Sequence, residues 1–183
     1  NWLHLYSEAA RLAFADRAAY VGDPDFVQAP GGDWRSLLAP GYLLERSRLI
    51  GPQRMPAAAA GQPAPLRMGY APMPPQPEYG TSHISIIDKD GNAVAMTTTI
   101  EAAFGSRQMV KGFMLNNELT DFSFTPTDAS GQPIANSVQP GKRPRSSMSP
   151  TLVFDRNSGQ LLASVGSPGG AAIIHYTAKT LYG

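Results

Sequence analysis

The sequence predicts an α+β fold, because stretches with helical spacing alternate with stretches typical of strands. Residues 2–20 repeat apolar side chains at the spacing of an amphipathic helix. Residues 82–88 and 92–100 are rich in isoleucine, valine, alanine and threonine. They flank Asp90-Gly91, a dipeptide that favours the positive φ angles of a tight hairpin turn. The chain of 183 residues is 42% hydrophobic, which is enough to form a core.

Two scaffold helices are predicted in the first part of the chain. On the first, apolar residues form one stripe that should face the core: Leu5, Ala9, Leu12 and Ala13. Charged residues lie largely outside that stripe: Glu8, Arg11 and Arg17. The second helix is expected from about Pro40 to Ile50, because proline suits a first helical turn and Gly51 follows the end.

Residues 52–80 contain eight prolines and few β-branched residues, which predicts a linker or an extended segment. This segment ends at Gly80, directly before the hairpin. A two- to four-residue turn pairs residues whose numbers add up to about 181, which brings Thr81 beside Thr99 and Ile100. Three hydroxyls and a carboxylate then crowd one end of the hairpin: Thr81, Ser82, Thr99 and Glu101. A simple tether, with Thr81 as an ordinary strand residue, stays open as an alternative.

The second half of the chain predicts more strands, a long loop and a third helix. The expected strands are Gly112–Asn117, Ser149–Phe154 and Leu161–Val165. Residues 122–142 are interpreted as a loop of functional or mobile character. Gly166-Ser167-Pro168-Gly169-Gly170 leads into the helix, whose apolar stripe is formed by Ile174, Ala178 and Leu181.

Composition excludes several classes of function. The formal net charge is +1 and the basic residues are spread out, so no nucleic-acid partner is expected. No apolar run approaches the length needed to cross a bilayer, so no membrane segment is predicted. The chain has no cysteine, and His4, His83 and His175 lack ligand spacing. We therefore expect no metal and no cofactor.

Six motifs resemble, in the same order, those of the small subunit of γ-glutamyltransferases, and such a series is far more specific than any one motif. They are Thr-Ser-His-Ile-Ser-Ile-Ile-Asp, Asp-Gly-Asn-Ala-Val-Ala-Met-Thr-Thr-Thr-Ile-Glu, Phe-Gly-Ser, Leu-Asn-Asn-Glu-Leu-Thr-Asp-Phe, Lys-Arg-Pro-Arg-Ser-Ser-Met-Ser-Pro-Thr and Gly-Ser-Pro-Gly-Gly. The resemblance is densest over residues 81–183. Ala9–Phe26 is similar to the last part of the family's large subunit.

The resemblance implies a four-layer αββα sandwich of the N-terminal nucleophile hydrolase type, truncated in this chain at both ends. It divides the chain into a helical end of the large subunit (1–51), a linker (52–80) and the start of the small catalytic subunit (81–183). The two subunits would form a heterodimer after one precursor cuts itself between Gly80 and Thr81. Family members act in the periplasm or are secreted, and a cytoplasmic location stays open.

The resemblance also implies roles for nine residues. Thr81 would be the nucleophile, because the α-amine of an N-terminal threonine can remove the proton of its hydroxyl. Thr99 would hydrogen-bond that hydroxyl, while Gly169 and Gly170 would present backbone N–H groups to an oxyanion. An α-ammonium would be held by carboxylates: Glu101, Glu118 and Asp121. An α-carboxylate would accept hydrogen bonds from Ser146 and Ser147.

The function implied is transfer of the γ-glutamyl group of glutathione-like substrates to water or to amino acids. Two alternatives stay open. One is an acylase of the same fold that acts on glutaryl or cephalosporin side chains, whose substrate lacks an α-ammonium. The other is a non-catalytic scaffold that never cuts at Gly80. Whether a lid covers the site is also left open.

Overall fold

A computed structural model of the chain describes residues 2–65, 69–78 and 80–182; parts of the predicted linker, 66–68 and 79, lie outside the described residues. Helices and strands are mixed, which confirms the α+β class. The helices are α1 (Trp2–Tyr20), α2 (Pro40–Ser47) and α3 (Ile173–Tyr182). The strands are β1 (Ser82–Ile87), β2 (Ala93–Thr98), β3 (Met109–Val110), β4 (Phe113–Met114), β5 (Thr151–Phe154) and β6 (Leu161–Val165).

The described strands form three separate antiparallel hairpins, β1–β2, β3–β4 and β5–β6. In the first, Ser82 pairs with Thr98 and Ile87 with Ala93, within one residue of the predicted register. The predicted strand Gly112–Asn117 is shorter than expected, because the chain leaves the ladder after Met114. There the backbone N–H of Leu115 donates to Gln108 and that of Asn117 donates to Ile100.

The chain divides into two compact units. The first unit comprises residues 1–76 and 122–145, and it contains α1 and α2. The second unit comprises residues 77–121 and 146–183, and it contains the three hairpins and α3. The long loop predicted at 122–142 has no helix or strand. It folds with the helical unit rather than with the hairpins on either side of it.

In the first unit, the predicted buried stripe of α1 is confirmed only at Leu12, which is 4% exposed. Leu5 is 56% exposed, and Ala9 and Ala13 are also exposed, whereas Glu8 and Asp16 are buried. The reason is that these two carboxylates accept hydrogen bonds from the segment that follows α2. Glu8 accepts from the Met55 N–H, and Asp16 accepts from the Gly61 N–H, both at about 2.7–2.8 Å.

The two helices are joined through Asp16. Its carboxylate accepts a hydrogen bond from the Tyr42 hydroxyl at 2.7 Å and an ion-paired one from Arg46 at 3.1 Å. The same guanidinium nitrogen of Arg46 also contacts the carbonyl oxygen of Ala59 at 2.8 Å. Helix α2 ends at Ser47, three residues before the predicted end, because its last turn tightens into shorter-range bonds.

Where it is described, the stretch predicted as a linker is extended. Backbone hydrogen bonds attach it to other segments of the chain. The Met73 N–H donates to Ala18 O at 3.0 Å, and the Ala71 N–H donates to Pro133 O at 2.8 Å. Ala71, Met73 and Ile134 then form a buried apolar cluster. These contacts hold the described residues 69–76 of the segment within the first unit.

In the second unit, hydroxyl groups connect hairpins β1–β2 and β5–β6. Ser164 donates to the hydroxyl of Ser85 at 3.0 Å, and the ring of His83 bridges Ser85 and Thr97. On α3 the buried residues are Ile173 and Thr177, each one residue before a predicted position of the apolar stripe. The third predicted residue, Leu181, is 43% exposed.

Candidate functional site

The site is built around the peptide bond between Gly80 and Thr81, just before β1. The hairpin register places Thr99, which follows β2, beside this bond. The hydroxyl of Thr99 donates to the carbonyl oxygen of Gly80 at 3.0 Å, and it accepts from the Glu101 N–H at 2.8 Å. The hydroxyl of Thr81 also donates to the Gly80 oxygen. Two hydroxyl donors thus polarise the carbonyl group of residue 80.

Only glycine fits at position 80 in this arrangement. A Cβ atom there would lie 2.6 Å from the carbonyl oxygen of Glu101. That oxygen belongs to a backbone held in the left-handed region, with φ of 69° at Glu101. Because non-glycine residues rarely adopt this conformation, the close approach depends on a local structure that tertiary contacts must maintain.

A cavity of about 20 Å³ beside Thr81 brings together eight of the nine residues that the sequence singled out. They are Thr81, Thr99, Glu101, Glu118, Asp121, Ser146, Ser147 and Gly170. Gly169 is the next residue along the chain. Residues from five separate segments therefore meet at one place in the second unit.

Three carboxylates form one side of the cavity. Glu101 is buried, with 5% of its surface exposed. Burial, and then the negative charge of Glu101, raise the pKa of the Glu118 carboxyl, while a hydrogen bond with Asp121 lowers it. In the described part of the chain, Glu118 Oε1 is buried without a hydrogen-bond partner. No lysine or arginine is among the described residues that line the cavity, so this side favours a positively charged ligand.

The two serines differ in exposure. Ser147 is buried with 9% of its surface exposed, whereas Ser146 is exposed. The hydroxyl of Ser146 accepts a hydrogen bond from the Met148 N–H at 3.2 Å. Its own proton is therefore suited to an acceptor such as a carboxylate.

The glycine loop before α3 has a conformation that larger residues would strain. Gly169 has φ of 132° and Gly170 has φ of 55°. A Cβ on Gly170 would lie 2.9 Å from Cβ of Glu78, and one on Gly169 would lie 2.7 Å from the ring of Tyr176. Gly170 begins a short 3-10 turn that continues into α3, and the first backbone N–H groups of a helix have no acceptor within the helix itself.

Sequence reasoning missed two residues that shape the site. Glu78 lines the cavity, and its position three residues before Thr81 was the available signal. Asn117 does not line the cavity, but its side chain donates to the carboxylate of Glu101. The signal for Asn117 was its place inside the motif that also contains Glu118 and Asp121.

The described residues contain no additional site of two kinds, a metal centre or a membrane-spanning helix. No group of three or more histidine, cysteine, aspartate or glutamate side chains is arranged to hold a metal ion within residues 2–65, 69–78 and 80–182. Within the same ranges, no helix has the length and apolar character required to cross a membrane.

Comparison with known proteins identifies the family. A sequence profile described as gamma-glutamyltranspeptidase matches residues 1–183. The chain therefore belongs to the gamma-glutamyltranspeptidase family. This result confirms the resemblance in the six motifs and, with it, the N-terminal nucleophile fold class.

Individual relatives extend over nearly the whole chain. The glutathione hydrolase proenzyme of Bacillus subtilis (strain 168) is 43% identical over 97% of this chain and 30% of its own length. The protein of the same name from Pseudomonas aeruginosa is 40% identical over 94% of this chain and 29% of its own length. The chain thus spans about 30% of the length of these relatives.

A solved structure is also similar. The gamma-glutamyltranspeptidase from Pseudomonas nitroreducens, complexed with L-DON, is 45% identical, with a TM-score of 0.47. The match covers 54% of this chain and 53% of the other.

Proposed function

We propose that this protein is a γ-glutamyltransferase and glutathione hydrolase that activates itself by cutting between Gly80 and Thr81. The observation that carries the proposal is the cavity beside that bond. It combines a threonine, a second threonine and a glycine loop with three carboxylates and two serines. Family membership supports the same activity.

The first step would be self-cleavage. The hydroxyl oxygen of Thr81 attacks the carbonyl carbon of Gly80, and negative charge develops on a carbonyl oxygen that already accepts a hydrogen bond from Thr99. The Gly80–Thr81 C–N bond breaks, and the Thr81 nitrogen takes the proton that the hydroxyl loses. Water then hydrolyses the ester, which leaves a carboxylate on Gly80 and a free α-amine on Thr81.

The new α-amine would be the base for turnover. An unperturbed α-amine has a pKa of about 7.7–8.0, so a substantial fraction is neutral near pH 7. It removes the hydroxyl proton of Thr81 as the oxygen attacks the γ-amide of the substrate. The amine product leaves with that proton, and a γ-glutamyl ester remains on Thr81. Water or the amine of an amino acid then attacks the ester and releases the glutamyl group.

The substrate class follows from the two kinds of polar group in the cavity. The carboxylates of Glu101, Glu118 and Asp121 match an α-ammonium, and Ser146 and Ser147 match an α-carboxylate. These two charges sit on the same carbon of a γ-glutamyl group. A glutaryl group lacks the ammonium and would leave the buried Glu118 oxygen without a partner.

Processing would also clear space for the substrate. The cavity of about 20 Å³ has room for about one water molecule, far less than a glutamyl group needs. Glu78 and Gly80 line it in the uncut chain, and Glu78 lies so close to Gly170 that a Cβ atom there would be 2.9 Å from Cβ of Glu78. Cleavage frees the chain at Gly80, so the segment that carries Glu78 and Gly80 can withdraw and widen the cavity. We accordingly place self-cleavage before any turnover.

The same proposal covers the assembly and the location of the protein. Cleavage of one precursor would give two subunits that stay together as a heterodimer. We propose that the protein works in the periplasm or outside the cell, where family members act. Fractionation of the cells that produce it would test the location directly.

Mass spectrometry of the full-length protein tests the proposal. We expect a fragment that begins at Thr81 and release of glutamate from glutathione. Thr81→Ala should remain one chain and be inactive, whereas Thr81→Ser should cut itself, more slowly. Two fragments from Thr81→Ala in a protease-free preparation, or a processed protein that leaves γ-glutamyl substrates intact, would refute the proposal.

A further inference from the structure

Asn117 joins the two segments that carry the acidic side of the cavity. Its backbone N–H donates to the carbonyl oxygen of Ile100 at 3.3 Å, and its Oδ1 accepts from the Ala102 N–H at 2.9 Å. These two bonds fasten the backbone on both sides of Glu101. They act where Glu101 itself has a left-handed φ of 69°, a conformation that needs support from its surroundings.

The side-chain nitrogen of Asn117 reaches the carboxylates more directly. Nδ2 donates one hydrogen bond to Oε2 of Glu101 and a second to the hydroxyl of Thr120 at 3.0 Å. Thr120 lies inside the 3-10 turn that begins at Glu118 and ends at Asp121. Because both amide protons and the amide oxygen are engaged, the orientation of this side chain is determined by its partners.

The position of Asn117 matters because the negative charges of the neighbouring carboxylates repel one another. The charge of Glu101 already raises the pKa of Glu118, so the two groups are close enough to interact. A neutral donor between Glu101 and the Glu118–Asp121 turn can hold both in place without adding charge. A third residue with only acceptors at this point would push Glu101 away.

We propose that Asn117 is a positioning residue for substrate recognition, which holds the Glu101 carboxylate and the Glu118–Asp121 turn in the arrangement that accepts an α-ammonium. This inference rests on the proposed function, and it assigns a role to a residue outside the cavity lining. Asn117 contacts neither Thr81 nor Gly80 in the bonds described above. Its effect should therefore fall on substrate affinity rather than on the chemical steps.

Asn117→Asp is the sharpest variant, since it keeps the shape of the side chain and the acceptor for the Ala102 N–H. It removes the donor to Glu101 and adds a negative charge. At neutral pH we expect KM for γ-glutamyl-p-nitroanilide to rise by about tenfold or more, with kcat within about threefold of wild type. Cleavage at Gly80–Thr81 should go to completion.

A pH profile separates this role from a loss of general structure. As the pH falls, the carboxyl group introduced by Asn117→Asp takes up a proton and can again donate a hydrogen bond to Glu101. The ratio of variant KM to wild-type KM should therefore shrink at acid pH. A packing defect would leave that ratio unchanged.

Asn92→Asp is the matched control. The Asn92 amide donates to the carboxylate of Asp88 at 2.8 Å, so the same pair of groups is altered, but in the β1–β2 turn away from the cavity. We expect unchanged KM and kcat. If Asn117→Asp fails to fold or to cut itself, Asn117→Ala adds no charge and carries the same expectation of raised KM with kcat within about threefold.

An unchanged KM in the folded variant, or equal losses in kcat for γ-glutamyl and glutaryl anilides, would overturn the inference. Failure of the proposed function looks different. Wild-type protein would then fail to hydrolyse the γ-glutamyl anilide at all, before any variant is compared.

Discussion

The two sides of the cavity beside Thr81 differ in how their polar groups are hydrogen-bonded. The hydroxyl side consists of Gly80, Thr81 and Thr99, and in the uncut chain its carbonyl oxygen accepts two hydrogen bonds. The acidic side consists of Glu101, Glu118 and Asp121, and it retains a buried Glu118 oxygen without a hydrogen-bond partner among the described residues. The carbonyl oxygen on the hydroxyl side thus has its donors in the uncut chain, whereas the Glu118 oxygen on the acidic side can accept a hydrogen bond from a cationic ligand.

For the proposed function, this difference predicts that self-cleavage and substrate recognition can be separated by mutation. The Gly80–Thr81 peptide bond carries no free ammonium, so the acidic side should contribute little to the proposed first reaction. The proposed γ-glutamyl substrate would need both sides. The following variants test how far the separation holds.

The largest effect should come from the glycine loop, which adjoins both sides. In Gly170→Val, the new Cβ meets Glu78 at 2.9 Å and the backbone is strained at φ of 55°. We expect kcat to fall by about 10²–10³-fold through loss of an oxyanion donor, and self-cleavage to slow as well. Anilide assays measure kcat, and gel analysis of the fragments measures the rate of self-cleavage.

Gly159→Val is the control for this variant. Gly159 has φ of 69° with open space around it, so the substitution introduces a similar backbone strain without the clash. Activity should be retained there. If Gly170→Val turns over substrate at the wild-type rate, the loop is only a turn.

The next effect concerns the acidic side alone. Asp121→Ala removes one partner of the α-ammonium, which should cost about 2 kcal/mol, or ~30-fold in kcat/KM for the γ-glutamyl anilide. Glutaryl anilide should be affected little, and self-cleavage should be near normal. Asp90→Ala, in the β1–β2 turn, should change neither. Equal losses on both anilides would show that Asp121 acts through folding.

A smaller effect is expected on the hydroxyl side. Thr99→Val removes the 3.0 Å donor to the Gly80 oxygen while keeping the shape, so self-cleavage should slow by roughly tenfold. A time course of fragment formation measures the rate. Thr98→Val, one residue earlier, should cut itself normally. A normal rate in Thr99→Val would mean that Thr81 and the backbone suffice.

The smallest effect is a change in pH dependence. The pKa of Glu118 lies above its ordinary value of 4.5, so its carboxyl becomes neutral as the pH falls through that raised pKa and binds an ammonium less strongly. Wild-type KM should therefore rise at acid pH. In Glu118→Gln, KM should be a few-fold higher near pH 7 and should vary less with pH than wild-type KM where the raised pKa of Glu118 acts.

The free energy of unfolding should change with pH in the opposite direction to substrate affinity, and this difference serves as a check. A carboxyl with a raised pKa stabilises the fold below its unfolded pKa, and this contribution is lost as the pH rises through the folded pKa. Glu118→Gln should therefore be at least as stable as wild type near pH 7. A variant that is less stable at neutral pH would mean that the ionised carboxylate has a structural partner.

The local features of the fold were predictable from the sequence. Residues 2–20 form α1, and the β1–β2 register agrees within one residue because turn chemistry and alternating side chains act over short distances. Family membership was predictable from the order of the motifs, and that order also selected residues that the fold brings to one cavity. The roles of these residues and the boundaries at 51, 80 and 81 stay predictions.

What only the tertiary structure decided is which polar groups are buried and what they hold. Apolar periodicity placed Glu8 outside the core stripe of α1, yet this carboxylate is buried because it binds the N–H of Met55, 47 residues further along the chain. Asn117 likewise gained its role from Glu101 and Ala102, which lie on another segment. The sequence by itself determined the hairpin and the extended segment, since these follow from local backbone preferences and turn chemistry. The partners of a buried amide or carboxylate depend on segments far apart in the sequence, and no local pattern records that pairing.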